Sequence, residues 1–265
     1  MVLTKLEIQM RAALFSLLLS LILLPVQLLA SEVNVPILLY HRFGPTVADS
    51  MTITTPVLIE HLNYLKDNGF TVIPLKKLIN HLNKSDLSPL PKKPVVIVAD
   101  DAHKSAYSVL FPLAKKYNIP VTLFTYPSAI SNASYAMTWD ELREVEKSGK
   151  FDIQSHTFWH PNFKTEKKRL SSTEYEKLVD VQLIKAKKKL EKEIGKTVDT
   201  LAWPFGIYDE ELIRRAKAAG YTTLLTIEAR TVKEGERLEA LPRFLLTDKD
   251  RGNRFAKIVE KASGG

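Results

Sequence analysis

Residues 94–103 read PVVIVADDAH, an unbroken apolar run that ends in two adjacent carboxylates and a histidine. Continuous β-branched residues are typical of a strand that is covered on both faces, as in the parallel sheets of α/β proteins. Ligands of such folds bind at the carboxyl ends of the strands. Two neighbouring carboxylates repel each other there, so Asp100 and Asp101 need a proton, an arginine or a metal ion beside them. A surface turn with solvated aspartates is the alternative interpretation of this pair.

Two further stretches repeat the pattern of a short strand that ends in functional side chains. Residues 151–161 read FDIQSHTFWHP, in which His156 and His160 are four positions apart, so one turn of chain can direct both imidazoles at one point. Residues 200–206 read TLAWPFG, where proline and glycine stop the strand and are expected to expose two aromatic rings. Three predicted strand ends therefore carry polar or aromatic groups.

Together these motifs resemble the polysaccharide deacetylase family, also called carbohydrate esterase family 4 or the NodB homology family. The likeness extends from about residue 94 to the C-terminus, and both the order and the spacing of the motifs fit. It implies an α/β fold, a deformed (β/α) barrel that is usually short of eight strands. It also implies that Asp100 is a general base. The implied metal ligands are Asp101, His156 and His160, and the implied divalent ion is zinc, with cobalt, nickel or iron as alternatives.

The chain departs from the family pattern around these motifs. Ala99 and Ala102 stand where an aromatic residue and a glycine usually surround the aspartate pair, and a backbone angle that demands glycine would strain Ala102. Ala202 occupies the position of an arginine in the third motif. No histidine follows His160, whereas the resemblance implies a C-terminal histidine as general acid.

Other residues must then supply the proton donor and the arginine. His41 is the predicted donor because it ends an apolar strand in LLYHRF, residues 38–43, which resembles the opening motif of the branch that acts on poly-N-acetylglucosamine. His103 is the alternative donor because it lies three residues from Asp100. For both histidines, a structural or exposed role is the competing interpretation. Arg243 is predicted to replace the missing arginine and to orient Asp100, with a surface ion pair as the alternative.

The two aromatic residues of the third motif are Trp203 and Phe205. They are predicted to form an apolar wall against the sugar or its acetyl group. Ordinary core packing is the alternative for both.

Composition and charge patterning limit the class of protein and the compartment to which the chain can belong. The 265 residues, 45% of them hydrophobic, suffice for one large core, and the absence of cysteine excludes disulfides and thiolate metal sites. Residues 1–30 carry an apolar segment behind Lys5 and Arg11, which predicts a signal peptide or an uncleaved anchor and hence a periplasmic or extracellular protein. Residues 31–93 are predicted to form an N-terminal βα extension packed on the core, and residues 94–265 the deacetylase-like domain.

The net charge of +8 is concentrated in lysine-rich runs such as residues 164–169 and 185–189. A solvated helix face explains such runs best, and attraction to a membrane or another anionic cell-envelope surface is a secondary interpretation. The chain carries no nucleic-acid-binding motif, and export argues against a nucleic-acid partner.

Strands and helices are predicted to alternate along the chain, which favours a parallel barrel. Besides the three strands above, the predicted strands are residues 35–40, 70–73, 121–125, 221–227 and 238–246. The predicted helices are residues 55–69, 75–82, 104–117, 138–149, 171–195 and 209–219.

These features predict an exported, metal-dependent hydrolase that removes N-acetyl groups from an amino-sugar polysaccharide. The same chemistry cleaves esters, so an O-acetyl esterase acting on xylan or peptidoglycan is an alternative. A carbohydrate-binding relative that kept the barrel but lost its general acid is the alternative from another class.

Overall fold

The structure is a computed structural model that describes residues 33–260. The predicted signal peptide or anchor lies outside the described residues. The strands are β1 Asn34–Val35, β2 Ile37–Tyr40, β3 Arg42–Gly44, β4 Thr52–Thr54, β5 Thr71–Val72, β6 Pro94–Ala99, β7 Val121–Thr125, β8 Phe151–Ser155, β9 Thr200–Ala202, β10 Thr223–Leu225, β11 Val232–Lys233 and β12 Phe244–Leu245. The helices are α1 Thr55–Asp67, α2 Leu75–Leu82, α3 Phe111–Tyr117, α4 Trp139–Lys147, α5 Phe163–Arg169, α6 Ser172–Asp180, α7 Ala186–Ile194, α8 Glu210–Ala218 and α9 Asn253–Glu260.

One parallel sheet organises the fold, in the order β10-β9-β8-β7-β6-β2-β12, with β5 beside the first residues of β6. The segment after β11 joins the two ends of this sheet. Leu241 makes a parallel bridge to Leu225 of β10, and β12 pairs with β2 three residues later. The sheet therefore curls into a (β/α) barrel, which confirms the predicted fold class.

Alternate residues of the central strands face two different clusters of buried side chains. Leu38 and Ile97 pack in the larger cluster, together with the helices. Leu39 and Val98 pack with side chains from β7, β9 and β10 in the second cluster, which fills the inside of the curled sheet. Burial on both faces explains why β6 reads as an unbroken apolar run.

The predicted extension at residues 31–93 contributes strands to this same sheet. In particular, β2 lies between β6 and β12. The strand predicted for residues 35–40 is divided at Pro36. The chain before Pro36 forms β1, which pairs with β11, and the chain after it forms β2. The division of the chain at residue 93 stays a prediction.

Local signals place most helix ends correctly. Thr138 and Ser171 each form a capping box with the glutamate three residues later. Asn118 ends α3 in the left-handed conformation with φ 54°, and Gly195 ends α7 with φ 74°.

The structure differs from the predicted helices at two π-helical turns. Residues 104–117 contain the turn Ala106–Leu110 before α3, and residues 171–195 contain the turn Val181–Lys185 between α6 and α7. Helices α5 and α9 were not predicted. The sequence of α5 is mostly charged and lacks an apolar period, so it gives no helical signal. Within the described residues, none of the helices has the length and apolar character that a bilayer span requires.

Candidate active site

The predicted site residues follow neighbouring strands of the sheet and meet at its carboxyl edge. A cavity of about 360 Å³ opens there. All eight predicted site residues except Arg243 line it, namely His41, Asp100, Asp101, His156, His160, Trp203 and Phe205. A larger cleft of about 820 Å³ lies at the opposite ends of β7 and β8 and contains none of these residues. The chemistry is therefore concentrated in the smaller cavity.

Three side chains that suit a metal ion converge in this cavity. Among the described residues, Asp101, His156 and His160 form the one group of three or more such side chains, with ligand atoms within 4.8 Å of one another. Asp101 Oδ1 lies 3.7 Å from His156 Nε2 and 3.8 Å from His160 Nε2. Neighbouring ligands of a tetrahedral zinc ion are about 3.3 Å apart, given metal–ligand bonds of about 2.0–2.2 Å. The donor set and its spacing fit a divalent ion.

The tautomer of His156 is set by a backbone contact. Its Nδ1 lies 2.7 Å from the carbonyl oxygen of Ala202, which can only accept, so Nδ1 carries the proton and Nε2 presents a lone pair to the cavity. Burial lowers the pKa of His156 to about 3, against the opposing charge of Asp100. Burial also lowers the pKa of His160. Both imidazoles are therefore neutral at physiological pH, the form that binds metal ions.

Asp100 is held as a buried carboxylate by Arg243. Arg243 Nη1 donates to Asp100 Oδ1 at 2.8 Å, and its Nε donates to the Thr226 carbonyl at 2.8 Å. Burial alone would raise the pKa of Asp100, but the charge and hydrogen bond of Arg243, together with the neighbouring imidazoles of His156 and His41, outweigh it and lower the pKa to about 2. The second oxygen, Oδ2, lies 3.6 Å from His156 Nε2 and faces the donor cluster. Arg243 thus holds one oxygen of the Asp100 carboxylate in a fixed position.

The two candidate proton donors occupy different surroundings. His41 lines the cavity, and its buried Nδ1 has no hydrogen-bond partner within residues 33–260. Burial lowers the pKa of His41, while the carboxylates of Asp100 and Asp101 oppose that shift. His103 is not part of the cavity wall. Its Nδ1 lies 2.8 Å from Ser105 Oγ, which anchors it at the start of the following helical turn.

The two aromatic residues of the third motif also differ. Phe205 is 54% exposed and packs edge-on against His160 at 4.7 Å. Trp203 is wholly buried and packs edge-on against Phe163 at 5.8 Å, so the expectation that both rings are exposed is wrong for Trp203. The Trp203 ring is buried because α5, which begins at Phe163, packs against it. Gly206 is required beside them, because a Cβ there would approach Ile227 to 2.5 Å.

The backbone around the cavity is strained. Of the eight non-glycine residues with positive φ between residues 33 and 260, five belong to the segments that carry the site: Asp101, Ala102, Thr157, His160 and Phe205. Ala102 has φ 48°, so it does adopt an angle that favours glycine. Such strain persists only where surrounding contacts enforce it, and it is typical of functional sites.

Several residues that shape the site were not predicted. Arg42, Met51, Tyr126 and Ile227 line the cavity. Gln182 contacts the loop between the two histidines from a distant helix. Arg42 lies in the quoted LLYHRF motif and could have been found there, whereas Gln182 gives no signal within its helical pattern.

The parallel sheet curls into a barrel, and a candidate metal site lies beside a buried carboxylate at its carboxyl edge. This arrangement is that of a barrel hydrolase. The chain belongs to the polysaccharide deacetylase family, because the sequence profile of that family matches residues 88–224, just over half of its length. It is therefore a polysaccharide deacetylase, a hydrolase.

Similar proteins agree with this assignment. The chain is 26% identical over 207 residues to the poly-beta-1,6-N-acetyl-D-glucosamine N-deacetylase of Staphylococcus aureus strain MRSA252, covering 77% of this chain and 69% of that protein. It superimposes on a de-N-acetylase from Aggregatibacter actinomycetemcomitans with a TM-score of 0.71 and 26% identity, covering 84% and 99% of the two chains. IcaB from Ammonifex degensii has the same fold, with a TM-score of 0.75, 21% identity and coverage of 87% and 97%.

Removal of Arg243 should be among the most destabilising single changes near the site. Arg243→Met leaves the Asp100 carboxylate buried without its partner, so the free energy of unfolding should fall by about 3–5 kcal/mol. Adding Asp100→Asn to this variant should restore part of the loss. Urea denaturation measures both. Arg169→Ala, which breaks an exposed pair with Glu166, is the control and should cost under about 1 kcal/mol. Equal losses from the two arginine variants would contradict the assignment.

Acidification should destabilise the metal-free protein. His156 has a pKa of about 3 in the folded protein and about 6.5 in an unfolded chain. Between these values the unfolded chain binds a proton that the folded protein does not, so stability is full above about pH 6.5 and falls as the pH decreases. Melting temperatures in chelator at about pH 7.5 and about pH 4.5 should therefore differ less for His156→Gln than for the wild type. An identical difference in both proteins would contradict the neutral, buried state of His156.

Proposed function

We propose that this polysaccharide deacetylase removes N-acetyl groups from an N-acetylglucosamine polymer by metal-dependent hydrolysis. The observation that carries the proposal is the position of the Asp100 carboxylate, whose free oxygen faces the cluster of Asp101, His156 and His160. The likeness to a poly-beta-1,6-N-acetyl-D-glucosamine N-deacetylase supports this class of substrate.

Asp101, His156 and His160 would hold the metal ion. One carboxylate and two neutral imidazoles suit zinc, and also iron, cobalt or nickel, and three protein ligands leave positions open for other groups. When bound, such an ion lowers the pKa of water to near 7 and polarises the acetyl carbonyl. The Ala202 carbonyl supports the site by fixing the tautomer of His156.

Asp100 is proposed to take the proton of the attacking water. With a pKa of about 2 it is ionised at neutral pH, and one of its oxygens is occupied by Arg243. The other oxygen is left to accept the proton on the side of the donor cluster. Arg243 contributes by keeping the carboxylate charged and fixed in direction.

His41 is proposed to protonate the leaving amine. It lines the cavity with Asp100. Burial lowers its pKa against the opposing effect of the two carboxylates, so a proton that it carries is readily donated. The exposed ring of Phe205 is proposed to form an apolar wall against the sugar or acetyl group. Trp203, which is buried, is proposed to contribute to the same wall.

We infer that the protein acts outside the cytoplasmic membrane, in the periplasm or beyond the cell. The export-like sequence of residues 1–30 supports this inference, and the net charge of +8 suits association with an anionic envelope surface.

Acetate release from β-1,6-linked N-acetylglucosamine oligomers tests the proposal. Asp100→Asn should lower kcat by about 10²–10⁴-fold, because the amide cannot accept the proton. Chelation should abolish the activity, and added zinc or cobalt should restore it. Asp152→Asn, in the cleft at the other end of β8, is the matched control and should retain activity. Equal and low acetate release from wild type and Asp100→Asn would instead favour the carbohydrate-binding relative.

Paired amide and ester substrates test the choice between N-deacetylase and O-acetyl esterase. An amine leaves only after it is protonated, whereas an alkoxide is a better leaving group, so His41→Gln should reduce amide cleavage by about 10²-fold or more and ester cleavage by less. The readout is kcat/KM for an N-acetylated and an O-acetylated sugar. A wild-type preference for the ester, with equal effects of His41→Gln on both substrates, would support the esterase.

A further inference from the structure

The loop that carries both histidines, residues 156–160, has an unfavourable backbone. Thr157 has φ 67° and His160 has φ 63°, both in the left-handed region, and Thr157 is β-branched, for which this region is particularly unfavourable. Such a conformation persists only where contacts from elsewhere in the protein enforce it. The spacing of the two imidazoles depends on this conformation, because the loop determines where His160 lies relative to His156.

Gln182 supplies contacts of that kind. Its Oε1 accepts hydrogen bonds from the backbone N–H groups of Phe158 and Trp159, each at 3.0 Å. These are the two residues between the strained positions. The side chain of Gln182 has no solvent exposure, and its Nε2 has no hydrogen-bond partner in the described part of the chain. The acceptor oxygen is therefore the functional half of this amide.

A π-helical turn brings Gln182 to the loop. Val181–Lys185 interrupts the helical stretch between α6 and α7, and Gln182 and Leu183 within it are both buried. Such single π turns insert one extra residue into a helix and occur often at functional sites. The same turn makes a second contact near the loop. Tyr221 Oη lies 3.1 Å from the Leu183 carbonyl and 2.9 Å from Ser155 Oγ, and that oxygen accepts from the Thr157 N–H at 3.3 Å.

We propose that Gln182 is a positioning residue for the metal site. By binding two consecutive N–H groups of the loop, it holds His160 at the distance from His156 and Asp101 that a common ion requires. The inference rests on the metal site proposed above. Gln182 lies 22 positions after His160 and does not line the cavity, so it acts on the ligands through the backbone of the loop.

The chain contains a matched control for this residue. Gln154 is also buried, and its Oε1 also accepts from two consecutive backbone N–H groups, those of Asp199 at 3.1 Å and Thr200 at 3.0 Å. It lies in the cleft at the other end of β8. Methionine at either position keeps the volume and removes the acceptor, so both variants lose two bonds from backbone N–H groups, and Gln154→Met also loses the contact of its Nε2 with Asp152 at 3.1 Å. Only Gln182→Met loses its bonds at the loop.

The experiment measures Zn²⁺ and Co²⁺ affinity by competition with a chromophoric chelator, together with the melting temperature of the metal-free proteins. Gln154→Met should lower the melting temperature at least as much as Gln182→Met, because it loses more hydrogen bonds. Gln182→Met should weaken metal binding by about 10–100-fold, the usual effect of removing a residue that supports a ligand. Gln154→Met should stay within about threefold of wild type, and so should Gln182→Glu, which keeps an acceptor oxygen. The visible spectrum of bound Co²⁺ should change in Gln182→Met alone.

Two results would overturn the inference. One is wild-type metal affinity in Gln182→Met, and the other is equal weakening in Gln154→Met, which would mean that any loss of stability weakens the site. If the wild type binds neither Zn²⁺ nor Co²⁺, the proposed function fails as well. The wild-type measurement therefore separates failure of the metal site from failure of the role of Gln182.

Discussion

The site depends on the buried charge pair between Asp100 and Arg243, which are 2.8 Å apart and almost without solvent exposure. A lone carboxylate at this depth would take up a proton, whereas the arginine keeps it ionised. Asp101 pairs with no lysine or arginine among residues 33–260. Burial raises its pKa, and the Asp100 carboxylate adds to this effect against the influence of His41. Of the two adjacent acids, one is paired with an arginine, and the other is the carboxylate of the proposed metal site.

Much of this arrangement could be predicted from the sequence because parallel strands bring their carboxyl ends to one edge of a sheet. A polar side chain that directly follows such a strand is placed beside the others, however far apart they are in the chain. The ends of β6 and β8 therefore met as expected, bringing Asp101 and His156 together. The helix starts at Thr138 and Ser171 could also be predicted from the sequence, because a capping box is a local hydrogen-bond pattern.

The features that could not be predicted are set by tertiary contacts. A π turn adds one residue to a long apolar pattern and barely changes it, so residues 171–195 still predict an unbroken helix. The contact that makes Gln182 important comes from N–H groups more than 20 residues away in the chain. The burial of Trp203 likewise depends on Phe163 of α5, a helix that its lysine-rich sequence conceals.

The closure of the sheet by residues 241–246 ties the protonation of Asp100 to the integrity of the barrel seam. Arg243 lies 143 residues after Asp100, and the two side chains meet because this segment bridges β10 and β2. Local opening of the segment would withdraw the guanidinium from a buried carboxylate, which would then take up a proton. The seam is therefore an electrostatic element as well as a mechanical one.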